Sequence, residues 1–321
     1  MDQSRAALAA IATLIPLAMV ATAYTGRPAL QDRQEQEKIT VVASFYPLYE
    51  FASRVVGDRA EVSSLVPAGV EPHDWEPTAE DISRGRAADV LVINGGGFEI
   101  WADDMEAEVV ANTSEGIEFN YNKEENEAGT DEHGHEIDDD VAGGNIVNPH
   151  IWLDPMLAKH QIYKIRDAMV RSDPANTDYY NQNTDRFIAE LDSLDAFIRS
   201  ELASCGKSDF IAFHDAFIHF SERYGLRQHS IQGVSPEGEI LPQTIQQIIE
   251  LANEFDINVI YSEDLIDSRL ADTIANEIPN GKVLVLSPIE GIDKEEQAAG
   301  TGYIDKMKQN IVNLKDGLEC R

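Results

Sequence analysis

Basic side chains are scarce in this chain. Lys and Arg number 25 against 58 Asp and Glu, a formal net charge of -33 at pH 7. A surface of that sign repels phosphate, which excludes nucleic acid as a partner. It attracts cations weakly, and most of it reads as a solvated acidic surface suited to a salty environment. Cysteine is scarcer still, with Cys205 and Cys320 far apart in sequence. Outside the cytoplasm such a pair is free to oxidise, and a disulfide is expected; the alternative is two unrelated thiols, one in a frayed terminus. Long apolar runs are missing apart from one, Ala6 to Ala23, so the remainder is expected to be soluble.

That run follows Arg5, ends in Ala21-Thr22-Ala23 and precedes a polar stretch from Gly26 to Lys38. A basic start, an apolar middle and a small-residue A-x-A end are the marks of a cleavable secretory signal. The other reading is an uncleaved anchor, because the run is about long enough to span a bilayer. Both place the remainder outside the cytoplasm, and residues 1–38 are set apart as signal or anchor plus linker.

With 321 residues and 43% hydrophobic content, the chain suits two domains of ordinary size. From Ile39 a rhythm recurs of short apolar run, turn and helical stretch. The runs are Ile39 to Phe45, Val62 to Pro67 and Val90 to Asn94, resuming as Phe210 to Phe213, His229 to Gln232, Val259 to Ser262 and Val283 to Ser287. Short β-branched or apolar runs alternating with helices predict mainly parallel sheets in α/β lobes. Between Glu106 and Gly144 the composition turns to Glu, Asp, Asn and Gly around the pair His133 and His135, which predicts an acidic loop.

Asp154-Pro155 supplies an N-cap and a proline at the first helical position, opening a helix to about Met169. Beyond Asp173-Pro174, apolar residues at Phe187, Ile188, Leu191, Leu194, Phe197, Ile198 and Leu202 keep helical spacing. One helix of about 28 residues results, roughly 42 Å long, which exceeds what a single lobe needs. A last helix is expected from about Gly302 to Leu318. The organisation is therefore an N-terminal lobe at 39–175 with its acidic loop at 106–144, a linking helix at 176–204 and a C-terminal lobe at 205–321.

Four potential metal ligands stand at or just after predicted strand ends. They are His73 in Pro72-His73-Asp74-Trp75-Glu76-Pro77, His150 in Pro149-His150-Ile151-Trp152-Leu153-Asp154-Pro155, His214 in Phe213-His214-Asp215-Ala216-Phe217, and Glu290 in Ser287-Pro288-Ile289-Glu290-Gly291. Loops past the carboxyl ends of strands are where open α/β sheets bind ligands. Two of the four fall in each lobe, so they meet only across a cleft, which would close when filled. Three imidazoles and one carboxylate suit four-coordinate Zn2+, whereas Mn2+ favours more oxygen. Proline before two of the histidines restricts the local chain path. Asp74, Asp154 and Asp215 are candidates to accept the other ring N–H of a ligand histidine, although Asp154 also suits a helix cap. Any one histidine taken alone is better read as structural, and His160, His219 and His229 are assigned to helix surface, helix face and strand. Gly95-Gly96-Gly97 lacks a following Lys-Ser/Thr, so it reads as a tight turn and not a phosphate loop.

The segments Ser44 to Tyr49, Leu65 to Pro77, Asn94 to Gly97, Asn148 to Pro155 and His214 to Phe220 resemble the zinc- and manganese-binding receptors of ABC importers, from about residue 39 to the C-terminus. The proline-bracketed histidine motif is the specific part. The resemblance implies two Rossmann-like α/β lobes joined by one long rigid helix, with the ion held in the inter-lobe cleft. It matches His73 to the first ligand, His150 to the second, His214 to a third that is His in zinc-type members, and Glu290 to a closing carboxylate. It further implies an extracytoplasmic monomer that captures Zn2+, with Mn2+ as the alternative, and delivers it to a membrane permease. No cysteine lies near the signal, so the lipid-attached N-terminus of many relatives is not expected. The pair His133 and His135 resembles a much shortened His-rich loop, set against two incidental histidines in a solvated loop. Other readings are a surface adhesin on the same scaffold and a metallohydrolase. The latter needs an open coordination position for water, and four donors filling a tetrahedron leave none.

Overall fold

The computed structural model describes residues 38–118, 147–236, 238 and 240–321. The run Ala6 to Ala23 and the pair His133 and His135 lie outside the described residues. The first lobe comprises β1 (Ile39–Ala43), α1 (Tyr46–Val56), β2 (Ala60–Ser64), α2 (Ala79–Ala87), β3 (Val90–Ile93) and β4 (Val109–Asn112), followed by α3 (Pro155–Ser172). Then come the long α4 (Thr177–Leu202) and a second lobe: β5 (Asp209–Ala212), α5 (Ile218–Tyr224), β6 (Arg227–Ser230), α6 (Pro242–Glu254), β7 (Val259–Ser262), α7 (Arg269–Glu277), β8 (Lys282–Val285), α8 (Lys294–Ala299) and α9 (Tyr303–Gly317).

Each lobe is built on four parallel strands, ordered β2-β1-β3-β4 in the first and β6-β5-β7-β8 in the second. Helices cover both faces, so central strands are largely apolar: Val41, Val42 and Ala43 of β1 and Val90, Leu91 and Val92 of β3 are buried. The order reverses direction between β1 and β3, and between β5 and β7, leaving a crevice at the carboxyl ends of each sheet.

Strand bounds differ from the sequence reading at several places: β2 starts and ends earlier than Val62 to Pro67, β8 ends at Val285 and not Ser287, and two further cases are instructive. β4 falls inside the stretch 106–144 expected to be loop. Its run of three apolar residues, Val109 to Ala111, is short and sits among acidic ones, yet it pairs with β3 from Val90↔Val109 to Ile93↔Asn112. Val110 is 41% exposed, as an edge strand permits. β6 begins at Arg227 and ends at Ser230, short of the expected Gln232, because pairing starts at the polar Asp209↔Arg227. Backbone hydrogen bonds, not apolar content, place it there.

α4 has 26 residues, a rod of about 39 Å. It packs on α1 and α3 in the first lobe and on α9 in the second. Its buried face includes Tyr180, Phe187, Ile188, Leu191, Leu194 and Ile198. Full burial of each such side chain contributes roughly 1.5–3 kcal/mol, so packing holds this helix more than propensity does. The face belongs to one continuous cluster running from Val41 and Phe51 through Leu191 to Phe210, Tyr261 and Ile311. Both lobes therefore share a core with the helix between them.

Several bonds cross directly between lobes. Trp152 Nε1 donates to Pro288 O at 2.7 Å, Tyr303 Oη donates to Trp152 O at 2.6 Å, and Gly69 N donates to Ile292 O at 2.9 Å. Cys205, just past α4, is disulfide-bonded to Cys320, just past α9, across 115 residues of sequence. Among the described residues no helix is long and apolar enough to cross a membrane.

Candidate metal centre

His73 lies in the connection from β2 to α2. Prolines at 72 and 77 stiffen that connection, and a capping box between Thr78 and Asp81 then starts α2. His150 precedes a single tight turn, Ile151–Leu153, whose end is Asp154, the N-cap of α3. His214 follows β5, and Glu290 follows β8. All four stand on the carboxyl-end side of their sheets, which is what lets elements from both lobes point at one place.

The structure brings all four together. One donor atom from each of His73, His150, His214 and Glu290 lies within 4.8 Å of every other. Glu290 Oε1 is the hub, 2.8 Å from His150 Nε2, 3.1 Å from His73 Nε2 and 3.4 Å from His214 Nε2. The Nε2 atoms of His150 and His214 face each other at 3.1 Å. His150, His214 and Glu290 are buried, and only His73 keeps some exposure, 10% of its side chain. Phe98 closes over His73 edge-on, with ring centroids 5.0 Å apart.

Ring partners fix the tautomers. His150 Nδ1 donates to Asn148 Oδ1 at 2.8 Å, and His214 Nδ1 donates to Glu263 Oε1 at 2.6 Å. With the Nδ1 protons committed, the Nε2 atoms of both rings point inward at a carboxylate. Acceptors at such separations repel unless a proton or cation lies among them. A tetrahedral Zn2+ with bonds of about 2.0–2.1 Å sets its ligand atoms about 3.3 Å apart, close to the spacings around Glu290 Oε1. Glu290 Oε2 is also buried without a hydrogen-bond partner among the described residues. The donor set therefore fits zinc as cargo.

Electrostatics agree with a site that awaits positive charge. Burial pushes His150 down to about 3, with Glu290 opposing, so this ring is neutral. Burial also disfavours charge on His214, but the Glu263 and Glu290 carboxylates outweigh it and hold this imidazole well above its ordinary value. Glu290 is buried too, yet His214 and His73 hold it well below the usual carboxylate range. Burial, reinforced by Glu290, pushes Glu71 up to about 9.

The orienting groups are not those expected. Asp154 caps α3 through Met156 N at 2.8 Å and pairs with Arg223. Asp74 is exposed. Asp215 accepts from Gln228 Nε2 at 2.9 Å, and both ring nitrogens of His214 are engaged elsewhere. Asn148, Glu263 and Glu71, whose carboxylate accepts from His73 N at 3.2 Å, were missed. Glu263 directly follows β7, so the strand-end rule that found the ligands would have found it as well. His160 lies in α3, His219 in α5 and His229 in β6, hydrogen-bonded to Glu115 O, Asn148 O and Asp209 Oδ1 respectively.

Two parallel α/β lobes on one long helix, with three imidazoles and a carboxylate converging between them, define a two-lobed solute-binding protein with a metal-type pocket. The family model described as zinc-uptake complex component A, periplasmic (ZnuA) matches residues 41–317. The chain belongs to that family. It is 39% identical over 288 residues to the high-affinity zinc uptake system protein ZnuA of Bacillus subtilis, covering 88% of each chain. Its fold is similar to the Zn(II)-bound ZnuA-like domain of AdcA from Streptococcus pneumoniae, with a TM-score of 0.73 and 28% identity, over 88% of this chain and 99% of that one. It is also similar to the laminin-binding protein Lmb of Streptococcus agalactiae, described as a bifunctional protein with adhesin and metal transporting activity. There the TM-score is 0.75 and the identity 26%, over 88% of this chain and 100% of that one. The chain spans 56% of the length of the AdcA proteins of Streptococcus pyogenes that it matches at 31% identity.

Proposed function

We propose that this protein captures Zn2+ outside the cytoplasm through His73, His150, His214 and Glu290 and delivers it to the membrane permease of an ABC importer. The observation that carries this reading is the convergence of four inward-facing donor atoms, within 4.8 Å of one another, from both lobes. Three nitrogens and one oxygen favour Zn2+ over Mn2+. The similarity to a high-affinity zinc uptake protein and to a Zn(II)-bound domain supports the same choice.

Four protein donors fill a tetrahedron and leave no position for an activated water, so the site reads as a carrier and not a catalyst. Residues 39–175 and 205–321 serve as the two lobes and 176–204 as the link, with residues 1–38 as the export signal or anchor. The protein works as a monomer, without nucleic acid. Because α4 is packed into a core common to both lobes, closure around the ion is a small shift and not a wide hinge motion. His73, the one donor that keeps some exposure, is the way in.

The deciding experiment measures metal content and competitive zinc affinity of the purified protein, with each of the four residues replaced singly by Ala. Each replacement is expected to lose zinc affinity while the fold persists. Full-strength zinc binding by all four variants would sink the assignment.

Adhesion, the other activity of the bifunctional Lmb, is a further reading carried by that similarity alone. A solid-phase assay with laminin tests it, and absence of saturable binding ends it.

A further inference from the structure

Glu290 follows Ile289, a β-branched residue at φ 56°. A residue branched at Cβ does not stay in the left-handed region unless its surroundings hold it there. Ile289 is fully buried, and its amide donates to Ser287 Oγ at 3.1 Å. Ser287 Oγ in turn donates to Asp264 Oδ2 at 2.7 Å. Lys306 Nζ bonds the same Asp264 oxygen and also reaches Glu296 Oε1 and Oε2 at 2.9 and 3.0 Å. Asn310 holds the backbone of Ser287 on both sides, accepting from its N–H at 2.9 Å and donating to its carbonyl at 2.7 Å.

Lys306 is only 6% exposed, and burying an ion pair adds little stability compared with apolar packing. What this chain of groups does have is direction. It runs from α9 through Asp264 to the amide next to Glu290. Asp264 adjoins Glu263, the partner of His214, so the end of β7 addresses both ligands of the second lobe. The result at the site is asymmetric: Glu290 Oε1 meets all three imidazoles while Oε2 has no hydrogen-bond partner among the described residues. A carboxylate fixed in that pose offers one oxygen. One free to swing would offer both, as the larger, oxygen-preferring Mn2+ favours.

We propose that the Lys306–Asp264–Ser287 chain is a positioning device that keeps Ile289 left-handed, aims Glu290 at the three histidines, and so sets the preference for zinc over manganese. This rests on the reading of His73, His150, His214 and Glu290 as zinc ligands.

The test uses the purified full-length chain, wild type and Ser287→Ala, Asp264→Asn and Ser287→Thr. Competitive Zn2+ and Mn2+ titrations are paired with the visible spectrum of the Co2+-loaded protein and melting of the metal-free form. Ser287→Ala and Asp264→Asn are expected to lose about 10–100-fold in zinc affinity, as residues that orient ligands do. They should also narrow the Zn2+/Mn2+ ratio and change the Co2+ bands, while Ser287→Thr, which keeps the hydroxyl, stays near wild type. A double variant, Ser287→Ala with Ile289→Gly, should recover affinity, because glycine accepts a positive φ without help. Wild type that binds zinc, with a Zn2+/Mn2+ ratio and Co2+ spectrum unchanged in folded Ser287→Ala, overturns the positioning role alone. Wild type that binds no zinc overturns the ligand assignment itself.

Discussion

Glu263 Oε1 accepts the Nδ1 proton of His214 at 2.6 Å, with both side chains buried. The pair is formed across 49 residues of sequence, between the ends of β5 and β7. It does two things at once. It turns the His214 ring so that Nε2 faces the other donors, and its negative charge stabilises imidazolium when no metal is present.

Replacing Glu263 by Gln keeps an acceptor but removes the charge. Zinc affinity is expected to fall by about 10–100-fold, the range for groups that orient ligands. Asn148→Ala, which strips the partner of His150 Nδ1, should fall in the same range. Competition against a chelator of known affinity measures both, and values equal to wild type would contradict the roles given to these residues.

The pH dependence follows from the two imidazoles. His150 sits at about 3 and brings no proton at neutral pH. His214, held well above its ordinary value by Glu263 and Glu290 against burial, is protonated there, and zinc must displace that proton. The sign is fixed: apparent affinity rises with pH through neutrality and levels off only above the raised value of His214. The decline on acidification thus begins at higher pH than the value of about 6.5 for an ordinary imidazole. Calorimetry at pH 7 in two buffers of different ionisation enthalpy should show about one proton released per zinc. Release near zero would refute the charged His214.

The bond between Cys205 and Cys320 closes a loop of 115 residues in sequence. On chain-entropy grounds, its loss costs about 4–5 kcal/mol. Reduction, or the paired Cys205→Ser and Cys320→Ser variant, should lower the melting temperature of the metal-free protein. Zinc affinity should change little, since neither sulfur is among the converging donors. Loss of zinc binding in a folded double variant would break this expectation.

Leu191 is fully buried in the middle of α4, in the cluster common to both lobes. Leu191→Ala should destabilise the protein by roughly 2–5 kcal/mol. Because one core serves both lobes, denaturant unfolding of the variant is expected to remain a single transition. Two resolved transitions would show that the lobes melt separately.

Much of this was legible in the residues. The apolar spacing in α4 is local, so the helix could be read directly. The central strands, buried on both faces, carry long enough β-branched runs to be seen. β4 could not be seen, because an edge strand of four residues among acidic neighbours takes its identity from β3. The proline-bracketed histidines were visible as candidates. Their orienting partners were not, since the acidic residues nearest in sequence, Asp74, Asp154 and Asp215, are committed to solvent, a helix cap and a glutamine.

The order of residues by itself determined which side chains carry donor atoms, where the long helices and the central strands lie, and that a long rod separates two α/β halves. Those are properties of local spacing and of chemistry written residue by residue. Only the tertiary structure decided that Glu290 Oε1 stands within reach of three imidazoles, that Glu263 and Asn148 choose their tautomers, and that Ile289 adopts a backbone conformation its own side chain resists. Each depends on groups brought together from distant parts of the chain, where burial and neighbouring charge, not sequence distance, set the outcome.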